Sequence, residues 1–317
     1  MINLEKKFKN IYIEKGINLN INNAIYIDNY KEIFNRPNQN YLKQKNYLSL
    51  IIANKKDNFI YPLSKYCDNY GLDNVYYTSN ILNCIYNCKY CYLQGMYNSG
   101  YLVYFYNYQK MFEEVLRLKE NSYINISYDT DILALNDYFN MVDKWLEFIE
   151  NKNYFIEIRT KSNNIKPFKK VYNNVIVAYS ISPQEIINNY ELRSSSLKER
   201  IKSINYLLDK GYKVQLSFEP MIYLKNFEEL YLNMFDELND NIDLNKIYRI
   251  TISSFRISKD FLMRLRNNNK NCNILYFPFE KKDNMMYYGD IIDKKLTNYL
   301  SNLFKDYKDK VFVFEGE

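Results

Sequence analysis

Three of the chain's five cysteines fall in the segment NCIYNCKYCYLQ, as Cys84-x-x-x-Cys88-x-x-Cys91. Three thiolates at that spacing can face one metal centre and leave it a ligand short. Iron–sulfur clusters that carry electrons are normally held by four protein ligands, so a cluster on three leaves one iron open to a small molecule and becomes a reaction centre. Two other readings use the same residues. On a helix, positions i, i+4 and i+7 share one face, so the cysteines could form a buried stripe of small apolar side chains. The strand-like run NVYYTSN ending just before Cys84 speaks against a helix there. A structural zinc ion wants four ligands, and the chain has no histidine. The fourth would have to be Cys67, Cys272 or a carboxylate, and neither cysteine has a partner at metal-ligand spacing.

The elements that must position this loop are legible from about residue 74 onward. Strands are expected at 74–80, 123–129, 154–161, 175–182, 212–220 and 247–254. Between them lie amphipathic stretches such as NYQKMFEEVLRLKEN, LNDYFNMVDKWLEFIENK, SLKERIKSINYLLDKG and NFEELYLNMFDEL, with apolar residues at helical spacing. Six strands each followed by a helix imply an α/β fold with a parallel sheet and right-handed crossovers. The cysteines follow the first of these strands directly, at the carboxyl end where parallel α/β sheets place their ligands. Residues 1–73 read as an N-terminal α/β region. Residues 257–317 read as a C-terminal α/β segment that begins with the helix DFLMRLRNNN and ends in the strand KVFVFEG. No repeat or Pro/Gly-rich linker divides them, so the parts are expected to pack as one body.

Composition narrows the function classes. With 35 tyrosines, 7 glycines and a surplus of Asn, Lys and Ile, the simplest account is codon bias in an AT-rich genome. Tyr- or Lys-rich stretches therefore carry little weight as nucleic-acid patches. The net charge of +6 fits a polyanionic partner without demanding one. No apolar run approaches the ~20 residues that span a bilayer, and the N-terminus lacks a signal-peptide core. An odd number of cysteines, three of them clustered, is no disulfide framework, so a reducing cytoplasm is the expected compartment. The absence of a phosphate-cradling Gly-rich loop argues against a kinase, an ATPase or a pyridine-nucleotide dehydrogenase.

The C-x3-C-x2-C spacing, with aromatic Tyr90 before the last cysteine, resembles the signature of radical S-adenosylmethionine enzymes. YCYLQ, from Tyr90 to Gln94, further resembles the cluster loop of the spore photoproduct lyase family. The resemblance implies a (β/α)6 partial TIM barrel. It also implies a [4Fe–4S] cluster on Cys84, Cys88 and Cys91, with S-adenosylmethionine chelating the open iron. An electron from the cluster would split the cofactor to methionine and a 5′-deoxyadenosyl radical, which takes a hydrogen atom from the substrate. That requires cofactor and substrate in near contact and away from water.

Position by position, the resemblance makes Thr130 and Asp131 in SYDTDILALN, Lys161 in RTKS and Ser180 in YSIS cofactor contacts. Helix capping is the competing role for Thr130 and Asp131, and an ordinary exposed lysine for Lys161. Arg200, on the helix after the fourth strand, matches an arginine that pairs with the cofactor carboxylate, a geometry that favours arginine over lysine; a solvated helix face is the alternative. Tyr90 and Tyr92 match two tyrosines implicated in a hydrogen relay. One departure stands out: Tyr128 occupies the place of the family's hydrogen-donating cysteine, and neither Cys67 nor Cys272 stands where it obviously replaces it. Tyr288-Gly289, among lysines in KKDNMMYYGDIIDKK, matches a hairpin that pries the lesion from duplex DNA, a form of base extrusion.

Three functions follow: repair of a DNA photoproduct by radical chemistry; the same chemistry on another substrate, because of Tyr128; or a non-catalytic metal- or nucleic-acid-binding protein. The first two call for a DNA or related substrate and an electron donor such as ferredoxin or flavodoxin, with no membrane partner.

Overall fold

The computed structural model describes residues 4–64, 67 and 69–314. Its main sheet has eight strands: β1 (Ile60–Pro62), β2 (Val75–Thr78), β3 (Tyr123–Asn125), β4 (Phe155–Thr160), β5 (Val175–Ser180), β6 (Lys213–Met221), β7 (Arg249–Ser254) and β8 (Val311–Val313). They lie side by side in chain order, from β1 at one edge to β8 at the other. β2 to β8 are parallel neighbours, whereas β1 runs antiparallel to β2. The edges do not pair with each other, so the barrel stays open. The six expected strands are β2 to β7. The last residues of the expected C-terminal strand, 315 and 316, lie outside the described residues.

Each strand is buried on both faces where helices cover it, which is why β5 and β7 are buried at every position. β3 is shorter than its apolar pattern suggests, because the Asn125 side chain accepts a hydrogen bond from Ser127 N and turns the chain out of the sheet. The helix Leu197–Lys210 begins with a capping box of Ser196 and Glu199 and ends at Gly211, whose φ of 89° suits glycine. The expected helix over 135–152 is two, Asn136–Phe139 and Met141–Ile149, broken where Asn140 adopts a left-handed φ of 51°.

A second sheet of five strands takes Ile25–Ile27, Ile11–Glu14 and Leu50–Ala53 from the N-terminal part. Its remaining strands, Leu102–Phe105 and Ile81–Leu82, flank the cysteine loop. The chain thus leaves β2, pairs in the second sheet, makes the loop, and returns to the same sheet. The cysteines are held at both ends by backbone ladders, between the two sheets.

Candidate active site

A cavity of about 350 Å³ opens at the C-terminal ends of the barrel strands, and Cys84, Cys88 and Cys91 all line it. None is in a disulfide. Residues Asn87–Cys88 form a short antiparallel ladder with Glu191–Leu192, in which Cys88 faces Glu191. Lys89 N adds a bond of 2.8 Å to Tyr190 O. Among the described residues no group of three or more His, Cys, Asp or Glu side chains is arranged to hold a single metal ion. Burial pushes all three thiols up, Cys84 and Cys91 to about 11 and Cys88 to about 12. They are protonated in the metal-free protein at neutral pH, and loading must displace those protons. At pH 8, iodoacetamide should therefore modify Cys84 and Cys91 of the apoprotein roughly a hundredfold more slowly than an unburied thiol, the loss in thiolate set by a two-unit shift. Mass spectrometry of the alkylated cysteines checks this.

The wall beside the cysteines carries polar groups. Thr130, Asp131, Lys161 and Ser180 all line the cavity, as do Tyr90, Tyr92 and Tyr128. Thr130 Oγ1 and Ser127 Oγ are buried without a hydrogen-bond partner, and buried polar atoms are rarely left so. They fit a polar ligand in this space. Asp131 is committed to structure: its carboxylate accepts from Ala134 N at 3.0 Å, Lys161 N at 2.7 Å and Thr160 Oγ1 at 2.8 Å. It thereby fixes the ends of β3 and β4 against each other.

Glu191, which no spacing in the sequence signals, is the centre of the site's electrostatics. Its carboxylate is fully buried, pairs with Lys161 Nζ at 2.8 Å and Arg200 Nη2 at 2.6 Å, and accepts from Ser182 Oγ at 2.9 Å. Tyr90 Oη also donates to it. Burial alone would raise the Glu191 carboxyl, but Lys161 and Arg200 hold it well below the usual carboxylate range. Burial would lower the Lys161 ammonium, and Glu191 outweighs that to hold it above its ordinary value.

This arrangement corrects the reading of Arg200 as a cofactor-carboxylate partner. Its side chain is 0% exposed and outside the cavity lining. Besides Glu191 it donates to the carbonyls of Ser180 and Ser195 and to Ser194 Oγ. A solvated helix face is equally wrong: the arginine points inward and its donors are committed to the protein. The Tyr90 hydroxyl is likewise engaged, receiving Lys161 Nζ at 2.6 Å while it donates to Glu191.

Tyr288 is also misplaced by the sequence. It is 3% exposed and packs among Tyr223, Phe255, Phe277 and Phe279, with its Oη accepting from Tyr223 N at 3.1 Å. It anchors the hairpin from beneath and cannot contact DNA from there. The exposed residues of that hairpin are Glu280 to Asn284.

The residue that sequence spacing missed is Cys67. Tyr70, between β1 and β2, is anchored against the barrel strands: its Oη donates to Glu157 Oε2 at 3.1 Å and accepts from Arg159 Nη2 at 2.9 Å, while the Arg249 guanidinium covers its ring at 4.0 Å. Cys67 lines the cavity, with Sγ 3.8 Å from Tyr128 Oη. Tyr128 stacks on Tyr77 with ring centroids 4.1 Å apart, and Tyr92 Oη donates to its carbonyl at 2.5 Å. Burial pushes the Cys67 thiol up, which keeps hydrogen on sulfur at neutral pH. Cys272 is buried away from the cavity.

A profile of the family described as Spore photoproduct lyase matches residues 5–267. The spore photoproduct lyase of Clostridium acetobutylicum is 28% identical over 117 residues, 36% of this chain, and the matched stretch spans only 34% of that protein. That of Bacillus subtilis is 22% identical over 246 residues, covering 74% of this chain and 68% of that protein. A solved double mutant of spore photoproduct lyase with bound AdoMet and dinucleoside spore photoproduct superposes with a TM-score of 0.77 at 16% identity, over 96% of this chain and 98% of the other. That likeness is one of fold, and it confirms the partial barrel. The profile takes in β1 to β7 together with the cysteine loop, and the chain belongs to the spore photoproduct lyase family.

Proposed function

We propose that this chain is a radical S-adenosylmethionine enzyme that repairs a thymine photoproduct in DNA, with Cys67 as the hydrogen-atom donor. The observation that carries the reading is the convergence of four cysteines on one cavity: Cys84, Cys88 and Cys91 on one wall, and Cys67 beside Tyr128 on another. When bound, a [4Fe–4S] cluster with S-adenosylmethionine supplies a carbon-centred radical able to take hydrogen from the substrate. Cys84, Cys88 and Cys91 would hold the cluster. Thr130 and Ser180 offer polar contacts to the cofactor, and Lys161, neutralised by Glu191, orients Tyr90 behind the loop.

The donor problem posed by Tyr128 is answered by its neighbour. The Cys67 S–H bond breaks homolytically, its hydrogen passes to the product carbon, and the unpaired electron stays on sulfur. One electron from an external donor and a proton from solvent return that sulfur radical to the thiol, while Tyr128 Oη, 3.8 Å away, positions it. The partners are DNA carrying the lesion and an external one-electron donor such as ferredoxin or flavodoxin, in a reducing cytoplasm. No helix among the described residues is long and apolar enough to cross a membrane.

The test is anaerobic reconstitution. The wild type should be brown, and with reductant and S-adenosylmethionine should release methionine and 5′-deoxyadenosine. Cys88→Ala should lose the colour and all cleavage. A colourless, zinc-loaded wild type, or a brown one that leaves the cofactor intact, contradicts the proposal.

A further inference from the structure

Lys45 lies in the short helix Tyr41–Asn46, outside the cavity of the active site, and is 1% exposed. Lysine is almost never buried so fully unless an opposite charge pairs with it. Its Nζ instead donates to two neutral acceptors, Asn83 Oδ1 at 3.2 Å and the main-chain carbonyl of Cys84. Asn83 cannot serve as a surrogate anion, since its Oδ1 already accepts from Tyr41 Oη at 2.9 Å and Cys84 N at 2.9 Å.

No carboxylate among the described residues lines the space on the other side. The cavity of about 380 Å³ behind Lys45 is lined by Lys7, Arg193, Tyr86, Tyr138, Ser162 and apolar or amide neighbours, without an acidic residue. Arg193 Nη1 donates to the Lys45 carbonyl at 2.6 Å, and no ion pair among the described residues includes Lys7, Lys45 or Arg193. Positive charge is thus concentrated behind the cysteine loop, with no acidic side chain among the described residues paired to it. The groups in front are Cys84, Cys88 and Cys91, neutral as thiols and negative as cluster ligands.

We propose that Lys45 is the built-in counter-charge of the iron–sulfur cluster and holds its reduction potential within reach of a biological donor. This rests on the function proposed above. Adding one electron adds one negative charge to the cluster, so a fixed cation beside its ligand loop stabilises the reduced form more than the oxidised form. Net charge and hydrogen bonding around the cluster are the levers that set such potentials. Lys45 acts through the cysteine loop, whose Cys84 carbonyl it holds, as a positioning and charge-compensating residue.

The experiment is an EPR-monitored redox titration of the cluster-loaded full chain. Lys45→Gln, which keeps a hydrogen-bond donor but no charge, should lower the reduced-to-oxidised ratio at a fixed potential about tenfold, a downward shift of about 59 mV for one electron. Lys45→Arg should return the midpoint close to wild type. If Lys45→Gln fails to take up iron, Arg193→Gln should shift the midpoint the same way by a smaller amount. An unchanged midpoint in Lys45→Gln, an equal shift in Lys45→Arg, or no shift in Arg193→Gln overturns the inference. A brown, cofactor-splitting wild type with an insensitive midpoint sinks this inference alone, whereas a colourless wild type removes the proposed function and this inference together.

Discussion

Cys67→Ala should retain its cluster and continue to release 5′-deoxyadenosine, yet form thymine from the photoproduct about a hundredfold more slowly, a barrier increase of ~2.7 kcal/mol. The two readouts separate because the substitution touches neither the cysteine loop nor Thr130 and Ser180. It removes only the hydrogen that closes the reaction. Tyr128 Oη faces the position of the lost sulfur, but the phenol must give up hydrogen from within a stack on Tyr77, so it is a poor substitute. Placing a thiol one step away, as Tyr128→Cys in the Cys67→Ala background, should restore much of the thymine yield. Product analysis by chromatography with mass detection decides it, and an undiminished thymine yield in Cys67→Ala would show that another group donates.

The second large effect is on stability. Glu191→Gln leaves Arg200 at 0% exposure and Lys161 without their counter-charge. Breaking a buried pair from one side costs about 3–5 kcal/mol, a large share of the roughly 5–15 kcal/mol that holds a domain folded. The loss also loosens the ladder that places Cys88, so cluster content should fall with it. Adding Arg200→Met should recover part of the loss, because fewer buried charges then remain unbalanced. By contrast the exposed pair of Lys15 and Asp28 should contribute nothing measurable. The sign with pH follows from a depressed carboxyl: the Glu191 contribution is complete above the ordinary carboxyl value of 4.5 and is lost as acid protonates it below that. Urea denaturation of wild type and variants at pH 7 and pH 4 measures both effects. A Glu191→Gln protein as stable as wild type would remove the triad from the account.

What the residues alone revealed, and what they concealed, divides along sequence separation. The cysteine loop needs only eight consecutive positions, and the six central strands announce themselves by short apolar runs between amphipathic helices. Local spacing suffices for both. Cys67 and Tyr128 are 61 residues apart, Tyr90 and Glu191 101 apart. Contacts of that reach depend on where the packed chain brings Cys67 against the cavity wall, and on a two-residue ladder that no periodicity marks. Arg200 was misread for a related reason: its helix has charges on several faces, and only the packed structure shows that this one faces a buried glutamate. Tyr288 sits in a basic segment that resembles a DNA-facing hairpin, but its aromatic neighbours come from three other segments and enclose it. The edge strand β8 falls within the expected KVFVFEG strand, whereas the paired strands around the cysteine loop lie beyond pattern reading, since two to four residues are too few to show alternation.

The most direct measurement follows the hydrogen atom. Repair of the dinucleoside spore photoproduct, carried out in D2O with the reconstituted wild-type protein, should give thymine carrying one deuterium per lesion repaired, because the Cys67 thiol exchanges with solvent. The label should fall away with the thymine yield in Cys67→Ala. Thymine without deuterium, or no thymine from a protein that splits S-adenosylmethionine, would contradict the account.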